Sequence, residues 1–270
     1  MHPNLSERRM YRSLEKELRR ALREEQFFLD YQPQIDREGQ IISAEALLRW
    51  NHPVFGLVPP MQFIPLAEAS GLIVPIGEWV LQTGCDQIRQ FQCDQRTRHL
   101  EVAVNVSPIQ LLEKHFVERM RSAIVGIDPQ LLVLEITESV TMGDLDPVIQ
   151  RIRAIKAMGC KFAIDDFGTG FSSLSYLKKL PVDHVKIDKS FVYDMFEQPR
   201  HTSMVEAIFN ISKLYELKVI AEGVETRRQH ELLHRIGCET FQGFLIGMPG
   251  HPDALHGILE ESSREARIGL

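Results

Sequence analysis

The chain alternates short β-branched or apolar runs with longer stretches of helical periodicity, and it does so about eight times within 270 residues. The runs are Phe27 to Gln34, Ile41 to Leu48, Glu101 to Val106, Leu131 to Ile136, Lys161 to Ile164, His184 to Ile187, Lys218 to Ala221 and Glu239 to Gln242. Helical patterns fall between them, near Pro60 to Glu68, Ile76 to Phe91, Ile109 to Ser122, Pro147 to Met158, Ser203 to Tyr215 and Glu225 to Ile236. Repetition of this kind marks βα units around a parallel sheet. Eight strands with interleaved helices in about 250 residues is the size of an α/β TIM-type (β/α)8 barrel. On periodicity alone an open doubly wound sheet competes with it. The placement of the polar residues favours the barrel.

In a βα barrel the C-terminal ends of the strands converge on one mouth, so function should appear as acids and amides where each apolar run stops. Glu45 and Arg49 sit in and after the second run, Asn105 ends the third and Glu135 lies in the fourth. Asp165 and Asp166 end the fifth, Lys186 and Asp188 the sixth, Glu222 the seventh and Gln242 the eighth. A single strand-end acid commonly caps the next helix or faces water. Six or seven together are different, because several carboxylates in one cavity are strongly unfavourable unless cations neutralise them.

Composition sharpens that point. The formal charge is −6, with 31 Lys and Arg against 37 Asp and Glu, so no global basic field points to long nucleic acid. An acidic site accepts a phosphodiester only if bound cations reverse its local sign. Oxygen ligands without clustered His or Cys favour magnesium or manganese over zinc. Adjacent aspartates suit a pair of ions, one carboxylate bridging both, and such pairs stabilise the attacking and leaving oxygens of an in-line phosphoryl displacement. Lys186 would add positive charge to that reaction, with a salt bridge to Asp188 as its structural alternative.

The motifs that carry these residues are recognisable. Ala44-Glu45-Ala46-Leu47-Leu48-Arg49-Trp50 resembles the signature of the EAL domain family, and Tyr31-Gln32-Pro33 its first-strand motif. Asn105-Val106-Ser107, Leu134 to Glu138, Asp165 to Gly170, Lys186-Ile187-Asp188 and Ala221 to Thr226 resemble further family blocks in order. The resemblance runs from about Tyr11 to Leu259. It implies a barrel with an irregular first strand and hydrolysis of cyclic di-GMP to linear pGpG with two magnesium or manganese ions. By resemblance, Glu45, Asn105, Glu135 and Asp165 hold one ion, and Asp165, Asp166 and Glu222 the other. Glu222 is also the candidate general base and Lys186 the catalytic lysine. Gln32, Arg49, Asp188 and Gln242 are assigned to the substrate, and Glu138 and Glu225 to loop positioning and regulation. The loop Phe167 to Phe171, with Gly168 and Gly170 around Thr169, is expected to be mobile beside the metals. Where many family members carry a Pro-x-Pro turn after the last strand, this chain reads Gly247-Met248-Pro249-Gly250. A homodimer is implied by resemblance only, and a nucleotide-binding sensor without catalysis is the alternative function.

His230-Glu231-Leu232-Leu233-His234 matches the zinc-protease pattern HExxH. On a helical wheel Leu232, Leu233 and Ile236 take the buried face, which turns both histidines to solvent or the barrel rim. Thr240 stands where an extended zincin pattern needs a third His. Residues 1–25 read as an N-terminal linker helix, with Leu14, Leu18 and Leu22 on one stripe, and residues 26–265 as the phosphodiesterase barrel. That helix is expected to pack on its own domain, and in a larger protein it would connect to a sensory or GGDEF-type domain. Four widely spaced cysteines and no apolar run near the ~20 residues of a membrane span lead to the expectation of a reduced, cytoplasmic chain without membrane insertion.

Overall fold

The computed structural model describes residues 5–141, 145–169, 177–255, 257 and 259. Its strands are β1 (Phe27–Ile35), β2 (Ile41–His52), β3 (Gly56–Val58), β4 (Glu101–Asn105), β5 (Leu132–Thr137), β6 (Lys161–Phe167), β7 (His184–Ile187), β8 (Lys218–Ala221) and β9 (Thr240–Gln242). Eight of them close a barrel in the order β1-β9-β8-β7-β6-β5-β4-β2, with β2 pairing back to β1. Helices surround it. β3 was not anticipated: it hairpins onto the end of β2, pairing Trp50 with Val58.

Seven barrel strands run parallel, whereas β1 is antiparallel to both neighbours. The reason is local. β1 and β2 are joined by a short turn in which Asp36 Oδ1 accepts from Gln40 N (2.8 Å) and Gly39 takes φ 77°. A link that short can close only an antiparallel pair, because parallel neighbours need a crossover of a dozen or more residues. The irregularity expected of the first strand lies in this reversal.

The main core fills the space between barrel and helices, where Trp50, Phe63, Phe91, Phe162 and Phe241 are fully or almost fully buried. The N-terminal helix Leu5–Arg23 joins it through Leu18 and Ala21, with Leu14 and Leu22 packed alongside. The helical pattern over residues 109–122 is two short helices, Pro108–Leu111 and Phe116–Ala123, the first capped by Ser107 Oγ accepting from Gln110 N. Another short helix, Lys189–Tyr193, follows β7.

Inside the barrel, Ala103, Val133 and Ala163 form a separate small cluster. Barrel interiors are usually filled by bulky branched side chains. The two alanines are small, and a cavity lined among others by Ser43, Ala103, Val133, Glu135, His184 and Thr240 lies inside the barrel.

Candidate functional site

Every second residue of a strand faces the same side of the sheet. On the barrel's inner side that alternation brings Glu45 and Arg49 from β2, Asn105 from β4, Glu135 from β5, Asp165 from β6, Lys186 from β7 and Gln242 from β9. Glu222 follows β8 directly, and Gly223 at φ 66° turns the chain away immediately after it. A Cβ at Gly223 would lie 2.5 Å from Lys189 Cβ, so this left-handed turn has room only for glycine.

Lys186 sits at the centre, completely buried. Its Nζ lies 2.6 Å from Glu222 Oε1, 2.7 Å from Glu135 Oε2, and 3.3 Å from both Glu45 Oε2 and Asp165 Oδ1. The alternative pair with Asp188 is not formed, because the Asp188 carboxylate caps the next helix, accepting from Ser190 N (3.0 Å) and Ser190 Oγ. Both oxygens of Glu45 are held: Oε1 accepts from Asn105 Nδ2 (2.8 Å) and Oε2 from Gln242 Nε2 (2.6 Å). Gln242 also donates to Gln32 Oε1 (3.0 Å) and accepts from Gln34 Nε2 (2.7 Å).

Two carboxylate groupings share one member. Glu45, Glu135 and Asp165 offer oxygens within 4.8 Å of one another, and so do Asp165, Asp166 and Glu222. Consecutive residues of a regular strand point to opposite faces, so Asp166 needs a special backbone to join its neighbour. It has one. The β6–β7 register shifts between Ile164 and Phe167, and Asp166 takes φ 55°. Aspartate is among the few non-glycine residues enriched in that left-handed region.

The donor chemistry fits hard divalent cations: five carboxylates, the Asn105 carbonyl oxygen left free by its amide nitrogen, and no sulfur or imidazole. Glu135 Oε1 is buried and has no hydrogen-bond partner, an open lone pair facing this cluster's chemistry. Electrostatics agree. Burial, with Glu45 nearby, pushes the Glu135 carboxyl well above its ordinary range. Burial lifts Glu222 to about 8, with Asp165 and Glu45 adding to it against Lys186. Asp166 rises to about 6 through burial and then Asp165 and Asp188. For Glu45, burial acts upward, but Lys186, Gln242 and Asn105 outweigh it and leave the group below its usual value. The Lys186 ammonium, opposed by burial, is held charged by Asp165, Glu135, Glu222 and Glu45. Without added cations the cluster therefore retains protons that a divalent ion would displace.

The EAL domain family model matches residues 15–249. The chain belongs to the EAL domain family. A bifunctional diguanylate cyclase/cyclic di-GMP phosphodiesterase of Pseudomonas aeruginosa, MucR, is 44% identical over 236 residues, 86% of this chain and 34% of that protein. Cyclic di-GMP phosphodiesterase PdeR of Escherichia coli is 37% identical over 241 residues, 88% of this chain and 36% of that protein. The chain spans about a third of the length of the curated relatives it matches. Among solved structures, the PaMucR phosphodiesterase in its c-di-GMP complex superposes with a TM-score of 0.86 at 43% identity, covering 90% of this chain and 99% of that one. The EAL enzyme Bd1971, in a form with cAMP and cyclic di-GMP bound, gives 0.87 at 31% identity, covering 93% and 69%.

Around the acids of this EAL domain, Arg49 Nε donates to Asp30 Oδ2 (2.8 Å), which keeps the guanidinium on the inner side of the mouth. Gln32 Nε2 donates to Gly247 O (3.1 Å), and Gly250 exchanges backbone hydrogen bonds with Tyr31. The Gly247-Met248-Pro249-Gly250 sequence thus ties the last loop to β1 without a Pro-x-Pro turn. Glu138 Oε2 accepts from Gly168 N (3.0 Å), fastening the start of the loop after Asp166. Gly170 and Phe171 of that loop lie outside the described residues. Glu225 is exposed on the turn before helix Arg227–Ile236, outside both carboxylate groupings.

The HExxH histidines are half-buried at the rim, and His234 bonds Arg37 on the exposed side. The rings of His230 and His234 lie 4.3 and 6.4 Å from that of Phe241; Leu233 is buried, Leu232 and Ile236 pack partly buried against the core, and Gln229, which was not expected there, is buried too. Gln229 can be buried because it both completes the Thr226 capping box and donates to Val192 O (3.0 Å). Sequence reasoning also passed over Asp30 and Gln34. Their signal was present, since both lie two residues from Gln32 on the same face of β1.

No helix among the described residues is long and apolar enough to cross a membrane.

Proposed function

We propose that this chain is a metal-dependent phosphodiesterase that opens cyclic di-GMP to linear pGpG. The observation that carries the reading is the pair of carboxylate groupings sharing Asp165 at the barrel mouth, packed around the buried Lys186. Membership of the EAL family and the relatives' named activities support the substrate class.

In this reading Glu45, Asn105, Glu135 and Asp165 hold one magnesium or manganese ion, and Asp165, Asp166 and Glu222 hold a second. Bound there, the pair supplies Lewis acidity to the attacking water and the leaving oxygen. The residues do the rest. Water attacks one phosphorus as the bond to the ribose 3′-oxygen breaks, a carboxylate oxygen of Glu222 takes the water's proton, and the departing 3′-oxygen takes up a proton to leave as the hydroxyl. Lys186 Nζ, fixed by its four partners, places a positive charge beside the charge that develops on the phosphoryl oxygens. Arg49, Gln32, Asp188 and Gln242 orient the nucleotide, Glu138 holds the Asp166 loop in place, and Glu225 belongs to its regulation.

The proposal extends to organisation. Residues 1–25 act as a connector to the 26–265 barrel, in a cytoplasmic homodimer linked to a sensory or GGDEF-type domain. For the linked domain the support is that the matched relatives are about three times longer.

Purified protein with magnesium or manganese should yield pGpG, and calcium should support binding without turnover. Glu45→Ala and Asp165→Ala should each abolish turnover, and activity persisting in both would overturn the site. Tight binding with no product under any metal would make the chain a sensor instead.

A further inference from the structure

We propose that Gln34 is a positioning residue for the metal centre: it sets the orientation of the Gln242 side-chain amide, and through it that of Glu45. This rests on the proposed role of Glu45 as a metal ligand. Gln34 is almost fully buried on β1, in direct register with Gln242 of β9, while Gln32 stands in register with Glu45 of β2. The antiparallel β1 therefore places two inward amides, two residues apart, against both flanking strands.

Gln242 has one acceptor and two N–H donors, and every one of them is used. Its oxygen accepts from Gln34, and its nitrogen donates to Gln32 Oε1 and Glu45 Oε2. Rotating that amide by half a turn would set its oxygen against the Glu45 carboxylate and the Gln32 carbonyl, and its N–H groups against the Gln34 nitrogen. All three contacts would become like-on-like among buried side chains, where unpaired polar groups are most unfavourable. Glu45, which as a carboxylate only accepts, and Gln34, which donates to the Gln242 oxygen, hold the amide from its two ends in the orientation that gives Glu45 a donor. With Asn105 on the other oxygen, the Glu45 carboxylate plane is then fixed before any cation arrives. Partners of this kind behind a ligand commonly change metal affinity by about ten- to a hundredfold.

The test is a double-mutant cycle on manganese affinity, measured by calorimetry without nucleotide. Gln34→Met and Gln242→Met should each weaken manganese binding by about tenfold or more. The double variant should bind no worse than Gln242→Met alone, because Gln34 acts only through Gln242. Losses that multiply in the double variant, or an unchanged affinity in folded Gln34→Met, would overturn the proposal. Should Gln34→Met not fold, Gln34→Asn, one methylene short of Gln242, runs the same cycle. In the wild-type protein the Gln242 side-chain N–H protons should exchange slowly with solvent, and rapid exchange would equally overturn it. Glu45→Gln separates the two readings. If it leaves manganese affinity unaltered, the metal assignment has failed; if it abolishes binding while the cycle is multiplicative, only the Gln34 role has.

Discussion

Replacing Lys186 by Met keeps an unbranched chain of similar length and removes a cation that touches Glu45, Glu135, Asp165 and Glu222 together. Removing one partner of a buried ion pair destabilises by about 3–5 kcal/mol. The four carboxyls have a way to respond, by taking up protons. Glu222 already titrates at about 8 and Glu135 is also raised, in both cases first by burial. A carboxyl raised on folding binds more protons in the folded than in the unfolded chain between its ordinary pKa and its folded one. Stability therefore falls as pH rises through that window, by about 1.4 kcal/mol per pH unit for each extra proton. Lys186→Met adds at least one such proton. In chelator, its deficit against wild type should be about 3–5 kcal/mol near about pH 8 and smaller by about 3 kcal/mol near about pH 6. Saturating manganese should restore most of the loss, since the ions replace the missing charge in the folded state only. Urea unfolding at both pH values, with chelator and with manganese, measures this. A deficit independent of pH and of metal would refute the electrostatic account of Lys186.

Three further outcomes follow from the same geometry. Manganese affinity should rise with pH from about 6 through about 8, because Asp166 at about 6 and Glu222 at about 8 must each release a proton and Glu135 is raised as well; a flat calorimetric pH profile contradicts the assigned ligands. Glu138→Ala releases Gly168 N and should lower kcat/KM by about tenfold while manganese affinity changes much less; equal losses in both would place Glu138 in the metal shell itself. His230→Ala with His234→Ala should leave the metal-dependent activity intact and lower stability by about 1–2 kcal/mol through lost packing on Phe241; loss of activity in a folded double variant would revive a role for HExxH.

The sequence by itself determined the eight barrel strands, because apolar runs and their spacing are local properties of the chain. It also marked Glu45, Asn105, Glu135, Asp165, Lys186, Glu222 and Gln242, since each lies at or near the end of its own run. The adjacency of Asp165 and Asp166 was legible too. How both can serve one centre was not, because that depends on a register shift and a left-handed residue in the folded sheet. Only tertiary structure decided which partner Lys186 would take: Asp188 is two residues away, yet Glu135, 51 residues distant, is bonded instead. The same holds for Gln242, whose contacts with Gln34 and Glu45 span 208 and 197 residues. It holds for the HExxH helix, where Gln229 reaches Val192 O and the His230 ring packs on Phe241. Strand periodicity says which face a side chain takes. Which donor meets which acceptor across a closed barrel is set by register and by competition among buried polar groups, and those exist only once distant strands have met.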